Sequence, residues 1–337
     1  MRPIPLGPNQ PATFYRGSGR LGAFRGLDLE PRPEDWVAST TARFGLAPSG
    51  LSPLPDGRLL AEAIAADPVA WLGPAHVARF GADPALLVKL LDAGQRLPVH
   101  VHPDRRFATT HLASGYGKTE AWIVLDAAPE AAVHLGFSRD VEAEELARWV
   151  AAQDVAALLG TTNRIPVRAG DAILCPAGLP HAIGANILLV ELQEPTDFSV
   201  LLEWDGFPLG PQDATLGLSF DEALACVDRR ACRPGRLAEL RGGADGTLLP
   251  DEAREFFTAE RVGAGALSPD FGVLVVTAGA GELSGDWGSL AVARGDTVVV
   301  PFAAGACRLV SGVGAVSGVG RVGEAGEIAG IRCRPAS

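Results

Sequence analysis

The stretch GDAILCPAGLPH, residues 170–181, recurs in outline as GDTVVVPFAAGA, residues 295–306. Each copy has Gly-Asp, then a short apolar run, then a proline at the same offset. A turn residue pair followed by β-favouring residues is typical of a strand that leaves a tight turn. This internal repeat, called the Gly-Asp echo below, therefore predicts two similar β modules. The first copy ends on His181 where the second has Ala306, so we expect a polar centre in the first module only.

Many other short runs of β-favouring residues, separated by glycine and proline, lie on both sides of these copies. This pattern is typical of a jelly roll or β-sandwich, so we predict a mainly β fold of two jelly-roll modules. Amphipathic spacing predicts helical decoration of the first module near 60–94 and 139–160. The predicted units are a first module over 1–205, an irregular connection over 206–250, and a C-terminal β module over 251–337.

The composition excludes several classes of protein. The chain has 337 residues and a formal net charge of −11, which argues against binding to duplex nucleic acid. A hydrophobic fraction of 47% indicates a folded chain. Five scattered cysteines form no CxxC pair, and no secretory leader or membrane-spanning run is recognisable. We therefore expect a cytoplasmic monomer or homodimer that binds a small molecule, with no nucleic acid or membrane partner.

Lysine is rare in this chain. Only two of the 29 basic residues are lysines, Lys89 and Lys118. Lysine offers a compact charge, and burial shifts its pKa far more readily than that of arginine. Two lysines retained in an arginine-rich chain are therefore candidates for a functional role.

Four side chains form a candidate metal site. His100 and His102 stand in LPVHVHPD, and alternate residues of a strand project from the same face. Glu120 begins a buried strand pattern, TEAWIVLD, and His181 ends the first copy of the echo. Imidazole nitrogens and a carboxylate suit Zn²⁺, with Fe²⁺, Mn²⁺, Co²⁺ and Ni²⁺ as alternatives.

The spacing of these residues resembles the two motifs of the cupin superfamily, G-x5-H-x-H from Gly94 and G-x5-P-x-G-x2-H from Gly170. Longer segments resemble the type I phosphomannose isomerases, over roughly residues 12–205 and more loosely beyond. The segments that carry this resemblance are PEDWVAST (33–40), LLVKLLDAGQRLPVHVHPD (86–104), GYGKTEAWIVLDA (115–127) and CPAGLPHAIGANILLVELQEPTD (175–197).

The resemblance implies cupin-type modules and a zinc site formed by His100, His102, Glu120 and His181. Residues 1–205 would then be the metal-binding catalytic module, and the C-terminal β module over 251–337 would lack metal ligands. It further implies Lys118 and Glu191 as catalytic residues, and Lys89, Lys118 and Glu191 as substrate-binding residues. The implied activity is an aldose–ketose isomerisation of mannose 6-phosphate to fructose 6-phosphate through a cis-enediol.

Departures from the family pattern leave other functions open. The family's Gln at the first ligand position is His100 here, the family's Ser ahead of the metal segment is Pro98, and a family arginine ten residues after Glu191 is Leu201. The alternatives are an isomerase for a different sugar, a non-catalytic sugar-binding cupin, and an Fe²⁺-dependent cupin oxygenase.

Overall fold

Residues 1–242, 248–312 and 326–336 are described by the computed structural model of this chain. They form two modules of packed antiparallel sheets, which confirms the predicted mainly β fold. The strands associated with the first module are β2 (Glu34–Val37), β3 (Leu87–Ala93), β4 (His100–Val101), β5 (Glu120–Ala127), β6 (Ala132–Phe137), β7 (Thr162–Pro166), β8 (Ala172–Cys175), β9 (His181–Ile183), β10 (Ile187–Gln193) and β11 (Val200–Leu201), and they follow β1 (Ile4–Leu6) in the chain. Those of the second are β12 (Phe257–Gly263), β13 (Gly265–Leu267), β14 (Gly272–Ala278), β15 (Ala280–Gly285), β16 (Gly288–Ala293), β17 (Thr297–Val300), β18 (Cys307–Ser311) and β19 (Ala329–Pro335).

Both modules have the same strand order. In the first, β3-β10-β5-β8 face β4-β9-β6-β7, and in the second, β12-β19-β14-β17 face β13-β18-β15-β16. Numbered within each module, these are the orders 1-8-3-6 and 2-7-4-5 of a jelly roll. The remaining strands extend the sheets, with β2 added to β3, β11 to β4 and β1 to β17.

The repeated Gly-Asp turn is built the same way in both modules. Gly170 has a φ of 93° and Gly295 a φ of 86°, a left-handed conformation that glycine adopts without strain. The carboxylate of the following aspartate accepts the backbone N–H three residues earlier, at 2.9 Å for Asp171 and 2.8 Å for Asp296. The echo in the sequence is therefore a repeated structural element.

The two modules share a core. One continuous cluster of buried residues joins Val88 and Ile123 of the first module to Val273 and Val299 of the second. The strand β1 also crosses between them, because Ile4 pairs with Val299 although it lies within the unit predicted for residues 1–205. The boundaries of that unit stay a prediction.

The described helices cover the outside of these sheets: α1 (Arg20–Arg25), α2 (Leu60–Ala66), α3 (Pro68–Leu72), α4 (Pro74–Phe80), α5 (Arg105–His111), α6 (Ala143–Ala152), α7 (Val155–Thr161), α8 (Phe220–Leu224) and α9 (Pro234–Glu239). Short 3-10 turns occur at Pro211–Asp213, Asp251–Glu255 and Phe302–Ala304. Helices therefore also occur in the predicted connection over 206–250, of which 243–247 lie outside the described residues, as do 313–325 and 337 of the C-terminal module. Within the described ranges, none of the helices has both the length and the apolar character needed to span a membrane.

The helical prediction near 60–94 is wrong over Leu87–Ala93. This segment is strand β3, which lies between β2 and β10 with all seven residues buried. A strand covered on both faces has an almost continuous apolar sequence, which periodicity cannot distinguish from a buried helix. The helix predicted over 139–160 is broken into α6 and α7 at Gln153, which has a φ of 49°.

Candidate active site

The two facing sheets of the first module bring the four predicted ligands together. His100 on β4 pairs directly with His181 on β9, and His102 follows β4 on the same face. Glu120 comes from the opposite sheet, where it begins β5. All four side chains are buried.

The three imidazole rings form a tight triangle. Their centroids are 4.1 Å apart for His100 and His181, 4.7 Å for His102 and His181, and 4.9 Å for His100 and His102. One nitrogen from each ring lies within 4.8 Å of one nitrogen from each of the others. This separation places the three nitrogens around a common point.

Backbone carbonyls fix the orientation of all three rings. Nδ1 lies 2.8 Å from the carbonyl oxygen of Pro98 in His100, 2.7 Å from that of Phe198 in His102, and 2.8 Å from that of Leu179 in His181. A carbonyl only accepts, so each Nδ1 must be the protonated nitrogen that donates. In a neutral imidazole with this orientation, Nε2 carries the lone pair that a metal-binding histidine requires, and burial favours the neutral form by lowering the pKa of His100 and of His102.

Glu120 completes the cluster. Its Oε2 lies 3.0 Å from Nε2 of His102, and its Oε1 lies 3.3 Å from Nε2 of His181. Burial opposes its ionisation, but His102 and Lys118 hold the pKa of Glu120 well below its usual range. Burial and the charge of Lys118 lower the pKa of His102 to about 3, so this imidazole is neutral at pH 7.

The donor set fits a divalent cation. Nε2 of His181 and Oε2 of Glu120 are buried without an aligned hydrogen bond to any described residue. A buried polar atom without a partner is costly, and a cation bound at this point would satisfy both atoms. Neutral imidazoles and a carboxylate are ligands of the kind that Zn²⁺ accepts.

Cys175, one of the five scattered cysteines, is a further potential ligand for which the sequence motifs indicate no role. It pairs across the sheet with Glu120, and its sulfur lies within 4.8 Å of the donor atoms of Glu120 and His181. Burial and the charge of Glu120 raise the pKa of the Cys175 thiol well above its ordinary value. It is therefore a thiol at neutral pH.

The three predicted catalytic and substrate-binding residues lie beside this cluster. Nζ of Lys118 is 3.3 Å from Oε2 of Glu120 and 3.1 Å from Nε2 of His102. Nζ of Lys89 is 3.4 Å from Oε1 of Glu191. Burial and the negative charge of Glu120 raise the pKa of Glu191 to about 7. The structure brings these residues together, and their roles stay predictions.

Lys89 is also held by residues of the N-terminal segment. Its Nζ lies 3.7 Å from Oε2 of Glu34 and 4.6 Å from the ring centre of Trp36. Glu34 accepts hydrogen bonds from the Tyr15 hydroxyl and from the Trp36 indole nitrogen. Burial acts against its charge, yet Glu34 and Glu191 raise the pKa of Lys89, which is a cation at neutral pH.

Lys118, Lys89 and Glu191 line one pocket with a volume of about 460 Å³, together with His100 and Glu120 of the cluster. Leu201 and Pro98, two of the departures from the family pattern, also line it. The pocket walls further include Arg43 from the segment between β2 and α2, as well as Tyr15 and Glu34. Sequence reasoning assigned no role to Arg43, Tyr15 or Glu34, although PEDWVAST was recognised as a family segment.

Other polar or aromatic residues lie elsewhere. His111 is exposed and packs on Phe107 with ring centres 4.5 Å apart. His76 packs on Phe80, and His134 contacts Thr162. These three histidines do not line the pocket.

The strand order of the two modules is that of a cupin-type jelly-roll fold, and the buried His/Glu cluster is a candidate metal centre in the first module. No protein-family model matches the chain. The mannose-6-phosphate isomerase of Streptococcus mutans is 42% identical over 112 residues, which are 33% of this chain and 34% of that protein. The match thus spans about a third of the length of this curated relative.

Solved structures extend the similarity to the whole fold. The mannose 6-phosphate isomerase of Bacillus subtilis superposes with a TM-score of 0.75 at 21% identity, covering 99% of this chain and 100% of that one. A mannose 6-phosphate isomerase bound with zinc and yttrium gives a TM-score of 0.72 at 16% identity over the full length of both chains. The chain is thus similar in fold, over its full length, to solved structures of mannose 6-phosphate isomerases, and similar in sequence, over a third of its length, to a curated mannose-6-phosphate isomerase.

Proposed function

We propose that this chain is a metal-dependent aldose–ketose isomerase whose substrates are mannose 6-phosphate and fructose 6-phosphate. One observation carries the proposal. A cluster of three histidines and Glu120, suited to a divalent cation, borders through His100 and Glu120 the pocket that Lys118, Lys89 and Glu191 also line. The similarity to proteins named mannose-6-phosphate isomerase supports the choice of substrate.

The cation would be held by His100, His102, Glu120 and His181. We prefer Zn²⁺ because a mannose 6-phosphate isomerase of similar fold is bound with zinc. Bound there, the cation supplies Lewis acidity that stabilises negative charge developing on the sugar oxygens. The carbonyls that accept from each Nδ1 keep the three rings in place for this role.

The reaction itself is a proton transfer between neighbouring carbons. The proton on C2 of the aldose is removed and delivered to C1, and the hydroxyl proton on O2 passes to O1, through a cis-enediol. Glu191 suits the role of base because a pKa of about 7 allows both its protonated and its ionised form near neutral pH. Lys118 is the second candidate for the proton transfer, and its charge lies beside Glu120.

Lys89 would position both the substrate and Glu191. Its ammonium group lies between Glu34 and Glu191, and only about 4% of its side chain is exposed. A fixed cation at 3.4 Å keeps the carboxylate of Glu191 oriented toward the pocket. We further propose that the protein is cytoplasmic and monomeric or homodimeric. The location is consistent with five cysteines that are all free.

A second candidate function is sugar binding without turnover. Leu201 favours it, because this apolar side chain lines the pocket where the resemblance places an arginine. Loss of a cation that stabilises a developing negative charge slows catalysis by a large factor.

An isomerase assay after metal reconstitution separates the two functions. The protein is chelated, reloaded with Zn²⁺ and supplied with mannose 6-phosphate or free mannose, and ketose formation is measured. Turnover of mannose 6-phosphate that disappears on chelation supports the isomerase. Tight sugar phosphate binding without turnover at saturating Zn²⁺ supports the binding protein. Oxygen uptake with Fe²⁺ in place of sugar turnover overturns both.

A further inference from the structure

Three described cationic side chains line the pocket: Arg43, Lys89 and Lys118. Two of them already have carboxylate partners beside the metal cluster. Lys118 contacts Glu120 at 3.3 Å, and Lys89 contacts Glu191 at 3.4 Å. The charge of each is therefore largely compensated within the protein.

Arg43 is held differently. It donates a hydrogen bond to the carbonyl of Ala12, and its Nε lies 3.8 Å from Oδ2 of Asp197, too far for a hydrogen bond. About 21% of its side chain is exposed, compared with 4% for Lys89. A guanidinium group has five N–H donors, so donors remain available toward the pocket.

The backbone around Arg43 is well anchored. Its N–H donates to the carbonyl of Ser49 at 2.7 Å, and its carbonyl accepts from the N–H of Leu46 at 2.9 Å. The neighbouring Phe44 packs on Phe198 with ring centres 5.5 Å apart, and its N–H donates to Asp197. A fixed backbone reduces the entropy lost when the guanidinium orders around a ligand.

The remaining pocket wall is unfavourable to an anion. Glu34, Asp197 and Asp213 line it, and Leu201 contributes an apolar surface. A dianionic ligand therefore needs a cation with available donors, and Arg43 is the lining residue that has them. Arginine binds phosphate through two parallel N–H···O bonds.

We propose that Arg43 binds the phosphate group of the substrate and that Asp197 competes with the phosphate for it. This proposal rests on the proposed function, in which the sugar is phosphorylated. When C1 and C2 lie at the metal cluster, the phosphate on C6 lies at the opposite end of the sugar, and Arg43 is the most exposed of the three described cations that line the pocket. Asp197 weakens phosphate binding both by repulsion and by pairing with Arg43.

Binding measurements test this without requiring turnover. Zn²⁺-loaded full-length protein is titrated calorimetrically with fructose 6-phosphate and with fructose. We expect Arg43→Leu to weaken fructose 6-phosphate binding about 10- to 100-fold while fructose binding is unchanged. Asp197→Asn is expected to tighten fructose 6-phosphate binding. Arg58→Leu is the matched control, since Arg58 is exposed, pairs with Asp56 at 2.7 Å and lies outside the pocket.

Three results would overturn the proposal. The first is equal affinity of the wild type for fructose 6-phosphate and fructose, and the second is an unchanged affinity of Arg43→Leu for fructose 6-phosphate. The third is an equal loss of affinity for both ligands in that variant. If Arg43→Leu does not fold, as judged by thermal melting, Asp197→Asn decides, and weaker or unchanged phosphate binding counts against the proposal. Phosphate selectivity without turnover supports this proposal while contradicting the isomerase. Turnover without phosphate selectivity supports the isomerase and contradicts the proposed role of Arg43.

Discussion

The two modules have the same strand order but opposite interiors. In the first, Glu120 pairs with Cys175 across the sheet, and in the second, the positions aligned by the Gly-Asp turn are Gly272 and Val300. The second module is filled by Leu274, Leu283, Val298 and other apolar side chains. One jelly roll thus has a cluster of buried polar groups at its centre, whereas apolar side chains fill most of the interior of its copy.

A charge pair is also reversed between the modules. Lys89 pairs with Glu191 on β3 and β10, and Glu260 pairs with Arg332 at the aligned positions of β12 and β19. The side-chain separations are 3.4 Å and 3.6 Å. Arg332, however, donates to Ser268 and to the carbonyl of Asp270, so its hydrogen bonds are made within the protein.

The difference shows how one scaffold supports two tasks. Buried polar groups are costly unless they are paired, and apolar burial is the main source of folding stability. At the centre of the first module, potential metal-ligand atoms of His181 and Glu120 are buried without aligned hydrogen bonds, whereas the second module is packed mainly with apolar side chains. We therefore expect changes in the first module to affect metal binding and catalysis, and changes in the second to affect stability.

The largest effect is expected from Glu120→Ala. Loss of the charged ligand removes the carboxylate from the metal cluster, so metal content should fall below one ion per chain and turnover by about 10³-fold or more. Metal analysis and isomerase kinetics measure both. The matched control is Glu260→Ala in the second module, which should leave both the metal content and the turnover unchanged. Full activity in a metal-free Glu120→Ala protein would show that the cluster is not the active centre.

Glu191→Gln should lower kcat by about 10²- to 10⁴-fold without loss of metal, because the amide cannot accept the proton. In the wild type, activity should rise with pH as Glu191 ionises, with a midpoint at or below about 7 because a bound cation offsets the charge of Glu120. The variant should lack this limb of the pH profile. An unchanged limb would assign the proton transfer to another group, with Lys118 as the next candidate.

The smallest effect on catalysis is expected from Leu283→Ala, which creates a cavity in the second module. The free energy of unfolding should fall by about 2–5 kcal/mol, as measured by denaturant titration. Metal content and kcat should match the wild type under conditions where the variant is folded. A loss of metal affinity in the folded variant would show that the two interiors are coupled.

The sequence predicted the cluster well because its geometry follows from strand periodicity. His100 and His102 share a face in any extended conformation, and Lys118 lies two residues from Glu120. The Gly-Asp echo likewise predicted the duplicated module, since the turn depends on local residues.

Features fixed by long-range packing were not predictable in the same way. Arg43 and Tyr15 reach the pocket from segments with no regular structure, and their positions depend on contacts with distant strands. The segment Leu87–Ala93 was assigned to a helix because burial on both faces removes the alternation that marks a strand. The pairing of β1 with β17 joins Ile4 to Val299, which are 295 positions apart in the chain, so no local pattern indicates it.

A metal titration followed by turnover tests the central claim most directly. Chelated protein is supplied with increasing Zn²⁺, and the rate of conversion of mannose 6-phosphate to fructose 6-phosphate is measured at each step. The structure predicts a rate that rises linearly and stops rising at one equivalent of metal per chain. Turnover in the chelated protein, or no turnover after one equivalent has bound, would contradict it.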